Sequence, residues 1–243
     1  MKQWEKIAEG FQKGTIVDLS PTLENGIPKW PTHPPVVIDG RIITHEHDGS
    51  YCQILNMGEH SGAHVDVPAH VIPELMDRTV ETFPGDMVCG PAIKYDLYKL
   101  GAKPGERISK EAILSLEEEM GDAAKEGDIV LLNYGWQQYW TNTGAWKYFA
   151  CNEPGLSEEV CEMFAQRKVK AVGSDTIACD TPQVDGVALP AYGHEKYWLP
   201  NNIFIMEMIM NMDKLPTRSF FMAIPLKIKN GSGSPIRPLA IID

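Results

Sequence analysis

Asn202-Ile203-Phe204-Ile205-Met206-Glu207-Met208-Ile209-Met210 is apolar at both parities except at Glu207. A strand with one face in water alternates apolar and polar residues, so this run predicts a strand covered on both faces. Glu207 then shares a face with Ile203, Ile205 and Ile209. A carboxylate left alone there is strongly destabilising, so it must be paired, protonated or bound to metal. Two readings stay open. Glu207 is half of a structural ion pair with a core Arg or Lys, or it is a metal ligand together with His194 of the preceding loop.

Working outward, further strands are read at Thr15–Leu19, Val36–Ile43, Tyr51–Met57, Pro91–Tyr95, Asp128–Asn133, Val169–Gly173, Phe220–Lys229 and Ile236–Ile242. The last two flank Asn230-Gly231-Ser232-Gly233-Ser234, whose tolerance of positive φ predicts a hairpin connection. Two helices are legible. Ser109 can cap one that buries Ile113, Leu116 and Met120. Ser157 can cap another, with Glu158 and Glu159 in its first turn and Val160, Cys161, Phe164 and Ala165 inward. Pro28-Lys29-Trp30-Pro31-Thr32-His33-Pro34-Pro35 cannot sustain a helix or a central strand, because proline lacks the amide donor. The expected fold class is α/β: one domain over residues 1–243, a mixed sheet with few helices, and residues 1–35 as an extended arm.

The chain of 243 residues carries 22 basic and 33 acidic side chains, a net charge of −11. That balance argues against a nucleic-acid partner, whose phosphates are bound by Lys and Arg. Cys52, Cys89, Cys151, Cys161 and Cys179 are scattered and form no C-x-x-C, which disfavours a disulfide framework or a four-thiolate zinc site and suits the cytoplasm. No apolar h-region follows Met1, and no stretch is long and apolar enough for a membrane helix.

Three of seven histidines fall in eleven residues: His60-Ser61-Gly62-Ala63-His64-Val65-Asp66-Val67-Pro68-Ala69-His70. Imidazole plus carboxylate is a ligand set for zinc, manganese or iron. Neither an unbroken strand nor an unbroken helix lets His60, His64 and Asp66 converge on one ion. A bend at Gly62 does, and beyond it His64 and Asp66 lie at i and i+2 on one side of an extended segment. Pro68 is expected to keep the chain extended and return His70 to the same side. His45-Glu46-His47 precedes a turn and reads as solvated surface. His194-Glu195-Lys196-Tyr197-Trp198 lacks the final histidine of the zincin pattern.

His60-x-Gly62-Ala63-His64-x-Asp66-x-Pro68-x-His70 resembles the His-x-Gly-Thr-His-x-Asp-x-Pro-x-His signature of the metal-dependent "putative cyclase" hydrolases, which include bacterial kynurenine formamidases and isatin hydrolases. Asp18-Leu19-Ser20 with Pro28-Lys29-Trp30-Pro31, Gly173-Ser174-Asp175-Thr176, and the late His194 and Glu207 extend the likeness over most of the chain. The resemblance implies a swivelling β/β/α fold, a homodimer or homotetramer to which the arm contributes, and one or two divalent ions, Mn²⁺ or Zn²⁺. It makes His60, His64 and Asp66 ligands of a first metal, and Asp66, His194 and Glu207 ligands of a second. It makes His70 the general acid/base, and it gives Trp30 to substrate binding, through the arm's reach to a neighbouring subunit's pocket. Two positions depart from it: Ala63 replaces the signature threonine, and Trp30-Pro31-Thr32-His33 replaces the Trp-Pro-Gly-Asp common in formamidases. The reaction expected on a small-molecule substrate is hydrolysis of an amide C–N bond, in a cyclic amide or N-formyl aryl amide, by metal-activated water. A lactone hydrolase or lyase with the same centre, and a protein whose metal is structural, are the alternatives.

Overall fold

The computed structural model describes residues 2–243. Nine strands form one mixed sheet: β1 (Thr15–Asp18), β2 (His64–Asp66), β3 (Val88–Tyr95), β4 (Ile129–Leu132), β5 (Ala171–Ser174), β6 (Phe204–Glu207), β7 (Arg218–Ala223), β8 (Gly233–Pro235) and β9 (Leu239–Ile242). Their order is β1-β9-β7-β3-β4-β5-β6-β2-β8. The centre, β3 to β6, is parallel; the strands flanking it on both sides pair antiparallel.

The sequence of β4, Ile129-Val130-Leu131-Leu132, shows why the centre is covered twice. Val130 and Leu132 enter one core with Ile113 and Leu116 of α2 (Lys110–Met120) and Val160 and Phe164 of α3 (Glu158–Gln166). Ile129 and Leu131 enter a second core on the other face. That second core joins Val17 of β1, first in the order, to Val65 of β2, eighth in the order, so the sheet curls around it. Each such aliphatic side chain gains about 1.5–3 kcal/mol from full burial. Ser109 caps α2 by accepting from Ala112 N at 3.3 Å, and Gly121 ends it in the left-handed region. Ser157 holds the capping position of α3, but its buried hydroxyl has no partner among the described residues.

The mixed α/β domain agrees with the sequence reading, and four details correct it. Residues 1–35 are not all extended, because Gln3–Lys13 forms α1 (the first helix); only beyond β1 does the proline-rich stretch run without regular structure. Strands β7 and β9 are neighbours, but no hairpin joins them. Residues 224–238 instead cross to the far edge, where β8 pairs with β2. A Cβ on Gly233 would lie 2.6 Å from His60 Cε1 and from Val65 O, so this glycine serves close approach. Pro68 opens a 3-10 turn, Pro68–His70, where its missing amide costs nothing. Finally, Met208 has φ 56°, which ends the alternation after Glu207 and sends Ile209 into the opposite core from Ile203 and Ile205.

The five cysteines are free. No helix among the described residues is long and apolar enough to cross a membrane.

Candidate metal centre

Gly62 makes the expected bend, with φ 61° and no room for a side chain, since a Cβ would sit 2.5 Å from Leu23 Cδ2. The chain then enters β2, where His64 and Asp66 point to one face. In the antiparallel pairing of β2 with β6, Glu207 lies opposite His64 and Ile205 opposite Asp66. Register therefore brings one acid from each strand and an imidazole onto the same buried patch. His64, Asp66 and Glu207 are 2%, 1% and 6% exposed.

His194 reaches this patch from a π-helical turn, Gly193–Tyr197. Its Nε2 lies 3.3 Å from Glu207 Oε1 and 3.6 Å from Asp66 Oδ2. His64 Nε2 lies 3.3 Å from Glu207 Oε2 and 3.4 Å from Asp66 Oδ1. His60 Nδ1 is 2.6 Å from Asp66 Oδ1. The two trios His60, His64, Asp66 and Asp66, His194, Glu207 each bring ligand atoms within 4.8 Å of one another, with Asp66 common to both.

Each imidazole is held from behind. His64 Nδ1 donates to Gly62 O at 2.8 Å, and His194 Nδ1 donates to Asp180 Oδ1 at 2.5 Å. Those bonds place the proton on Nδ1 and leave the Nε2 lone pair for the centre, the arrangement that orients metal-binding histidines. His60 Nε2 contacts Ser232 Oγ at 2.9 Å, and that hydroxyl donates to Glu59 Oε2 at 2.7 Å. Sequence reasoning missed Asp180, Ser232 and Glu59. Only the fold brings them to the site, and no local spacing marks them.

The electrostatics fit a cation. Burial pulls His64 down, but Asp66 and Glu207 outweigh it and hold the imidazole up at about 9. Burial likewise opposes charge on His194, and Asp180, Asp66 and Glu207 raise it well above the usual range. Burial alone would raise Asp66; the surrounding histidines hold it well below the usual carboxylate range. No Lys or Arg pairs with Asp66 or Glu207 among the described residues, so the core ion pair considered for Glu207 is not found. Two buried carboxylates and two imidazoles that turn Nε2 toward them suit a divalent ion of the zinc or manganese type, which would take the place of the Nε2 protons.

His70 stacks on His60 at 3.9 Å between ring centroids, beside the cluster. Burial pushes it down to about 4, so it is a neutral imidazole at pH 7. Above these groups lies a cavity of about 300 Å³, with Trp30, Val71, Ile177, Leu189 and Met208 on its apolar walls. Trp30 lines the cavity of its own chain, and His33, which the sequence reading did not place in the site, lies on the same wall. His45 and His47 are exposed, as expected.

The family model described as "Putative cyclase" matches residues 17–181. Isatin hydrolase of Roseibium aggregatum is 28% identical over 236 residues, covering 93% of this chain and 86% of that protein. Kynurenine formamidase of Bacillus thuringiensis is 23% identical, covering 91% of this chain and 94% of that protein. Among solved structures, isatin hydrolase A from Labrenzia aggregata bound to benzyl benzoate superposes with a TM-score of 0.86 at 26% identity, covering 99% of each chain.

Proposed function

The chain belongs to the Putative cyclase family, and from that premise we propose that it is a metal-dependent hydrolase cleaving an amide C–N bond in a cyclic amide or an N-formyl aryl amide. The observation that carries the reading is Asp66, buried between two sets of ligand atoms and paired with no Lys or Arg among the described residues. His60, His64 and Asp66 would hold one ion, and Asp66, His194 and Glu207 a second, Mn²⁺ or Zn²⁺. Such an ion, when bound, acidifies water to a pKa of about 7 and polarises a carbonyl.

The protein's own groups do the rest. His70 is a neutral imidazole whose ring makes no hydrogen bond among the described residues, so it can accept a proton from the attacking water and return it to the leaving nitrogen. Its stacking on His60 keeps it beside the reacting atoms. Trp30, Ile177 and Met208 receive a flat apolar body and keep water from it. The names of the relatives, isatin hydrolase and kynurenine formamidase, support an amide adjoining an aromatic ring. In solution the chain is a homodimer or homotetramer in this reading, with residues 1–35 contributing to the contact.

The test is a panel of formanilides, cyclic amides and lactones, assayed after chelation and again after adding Mn²⁺ or Zn²⁺, with products identified. Metal-restored amide cleavage supports the reading. Lactone cleavage without amide cleavage would replace the substrate class, and full turnover by metal-free protein would remove the mechanism.

A further inference from the structure

His33 occupies an unusual position for a residue outside the ligand set. It ends a turn, Trp30–His33, whose closing bond runs from His33 N to Trp30 O at 2.9 Å. The Lys29 ammonium clamps that turn by donating to Pro31 O at 2.9 Å and His33 O at 2.6 Å. The Pro31 and His33 carbonyls are thereby fixed, and both half-buried ring side chains of the turn, Trp30 and His33, line the cavity. The His33 ring stands 5.7 Å from the His60 ring, close enough for one small molecule to meet both.

Within that cavity the distribution of hydrogen-bonding groups is lopsided. The polar groups gather on the floor, where Glu207 lies among His60, His64, His70 and His194, with Glu195 exposed at the rim. The wall is apolar except for His33 and Thr181, and neither Lys nor Arg lines it. The His33 imidazole makes no hydrogen bond to another described residue. A half-buried donor held rigidly in an apolar wall, with no protein partner, discriminates between ligands that satisfy it and ligands that do not. With no Lys or Arg among the described residues of the lining, the group that matches His33 is one that a single imidazole N–H satisfies, an uncharged acceptor rather than a carboxylate that calls for a cationic fork.

We propose that His33 is the specificity-determining residue of this site, donating a hydrogen bond to an uncharged acceptor oxygen, such as a second carbonyl, that lies beside the scissile amide of a flat apolar substrate. The choice of probes rests on the hydrolase reading; the contact itself does not. Formanilide and 2-formamidoacetophenone make the test pair, since both are neutral and differ only by the ortho acetyl group with its carbonyl oxygen.

With the metal-loaded protein, KM should be about 3–10-fold lower for the acetyl compound, the worth of one neutral hydrogen bond. His33→Ala should bring the two KM values to within about 2-fold of each other while kcat for formanilide stays near wild type, a pattern that lost proton transfer would not give. His33→Gln, which keeps a donor, should preserve part of the preference and guards against a folding artefact. If neither compound is hydrolysed, the N-formyl aryl amide reading fails, and the same compounds become stable ligands whose dissociation constants, from equilibrium dialysis, replace KM. A wild type with no preference, or one whose preference survives His33→Ala, overturns the proposal.

Discussion

Asp180→Asn changes one atom's chemistry at a residue that holds a proposed ligand, His194, from behind and belongs to neither trio of ligand atoms. Asp180 is 0% exposed, and its two oxygens have different tasks. Oδ1 accepts from His194 Nδ1 at 2.5 Å, and Oδ2 accepts from Gly193 N at 2.7 Å, so one carboxylate fixes both the ring and the backbone just before it. An asparagine has a single acceptor oxygen. If that oxygen stays on Gly193 N, the amide NH₂ faces His194 Nδ1. The imidazole must then move its proton to Nε2, turning an N–H toward Asp66 and Glu207 where a lone pair is needed. If the amide flips, His194 is satisfied, but two donors meet at Gly193 and a buried amide is left unpaired, at about 1–3 kcal/mol. The first outcome falls on the His194 ring and the second on the backbone that carries it. Removing such a partner typically weakens metal binding about 10–100-fold, or roughly 1.4–2.7 kcal/mol. Competition of wild type and variant against a chromophoric chelator at pH 7 measures this directly, and a thermal melt of the metal-free proteins reports the fold. Unchanged affinity beside a lowered melting temperature would refute the reasoning, leaving Asp180 a structural acid.

Three further outcomes are expected. Glu207→Gln keeps shape but removes charge, so metal binding should weaken at the site shared with His194 and Asp66; unchanged metal content with roughly 3–5 kcal/mol of lost stability would mark Glu207 as half of a buried charge pair only. His70→Asn should retain metal and lower turnover by about 10²–10⁴-fold, whereas loss of the ion, measured by elemental analysis, would make His70 a ligand. The third concerns acid stability: Arg218 grips Asp122 at 2.7 and 2.9 Å and Asp128 at 2.6 Å, holding the Asp122 carboxyl well below its usual range. A depressed folded pKa contributes stability that is complete above the unfolded value, about 4, and is lost as pH falls below it. Melting temperature should therefore drop between pH 5 and pH 3 more steeply in wild type than in Arg218→Gln, and equal slopes would exclude the effect.

The parts of the site legible in the sequence are those whose geometry is local. His64 and Asp66 sit two apart on one strand, Gly62 supplies a bend that only a small residue fits, and Glu207 betrays itself as a charge in an apolar run. The strand order and the register that sets Glu207 opposite His64 are long-range facts, carried by two cores rather than by either segment. The same holds for Asp180 and Ser232, ordinary residues whose roles exist only once the chain has folded. Asn230–Ser234 misled for a physical reason: glycine permits a turn and also permits close approach, and here Gly233 packs against His60 and Val65. In α1, Trp4, Ile7 and Phe11 follow a helical spacing, but Trp4 and Ile7 are each 63% exposed, so burial did not impose it.

Calorimetric titration of chelator-treated protein with Mn²⁺ and Zn²⁺, wild type beside Asp66→Asn, tests the central claim most directly because Asp66 belongs to both trios. Saturable binding of one or two ions per chain by wild type, lost in Asp66→Asn while the variant still melts cooperatively, is the predicted result. Wild-type protein that binds neither ion, or an Asp66→Asn variant that binds them as wild type does, would contradict it.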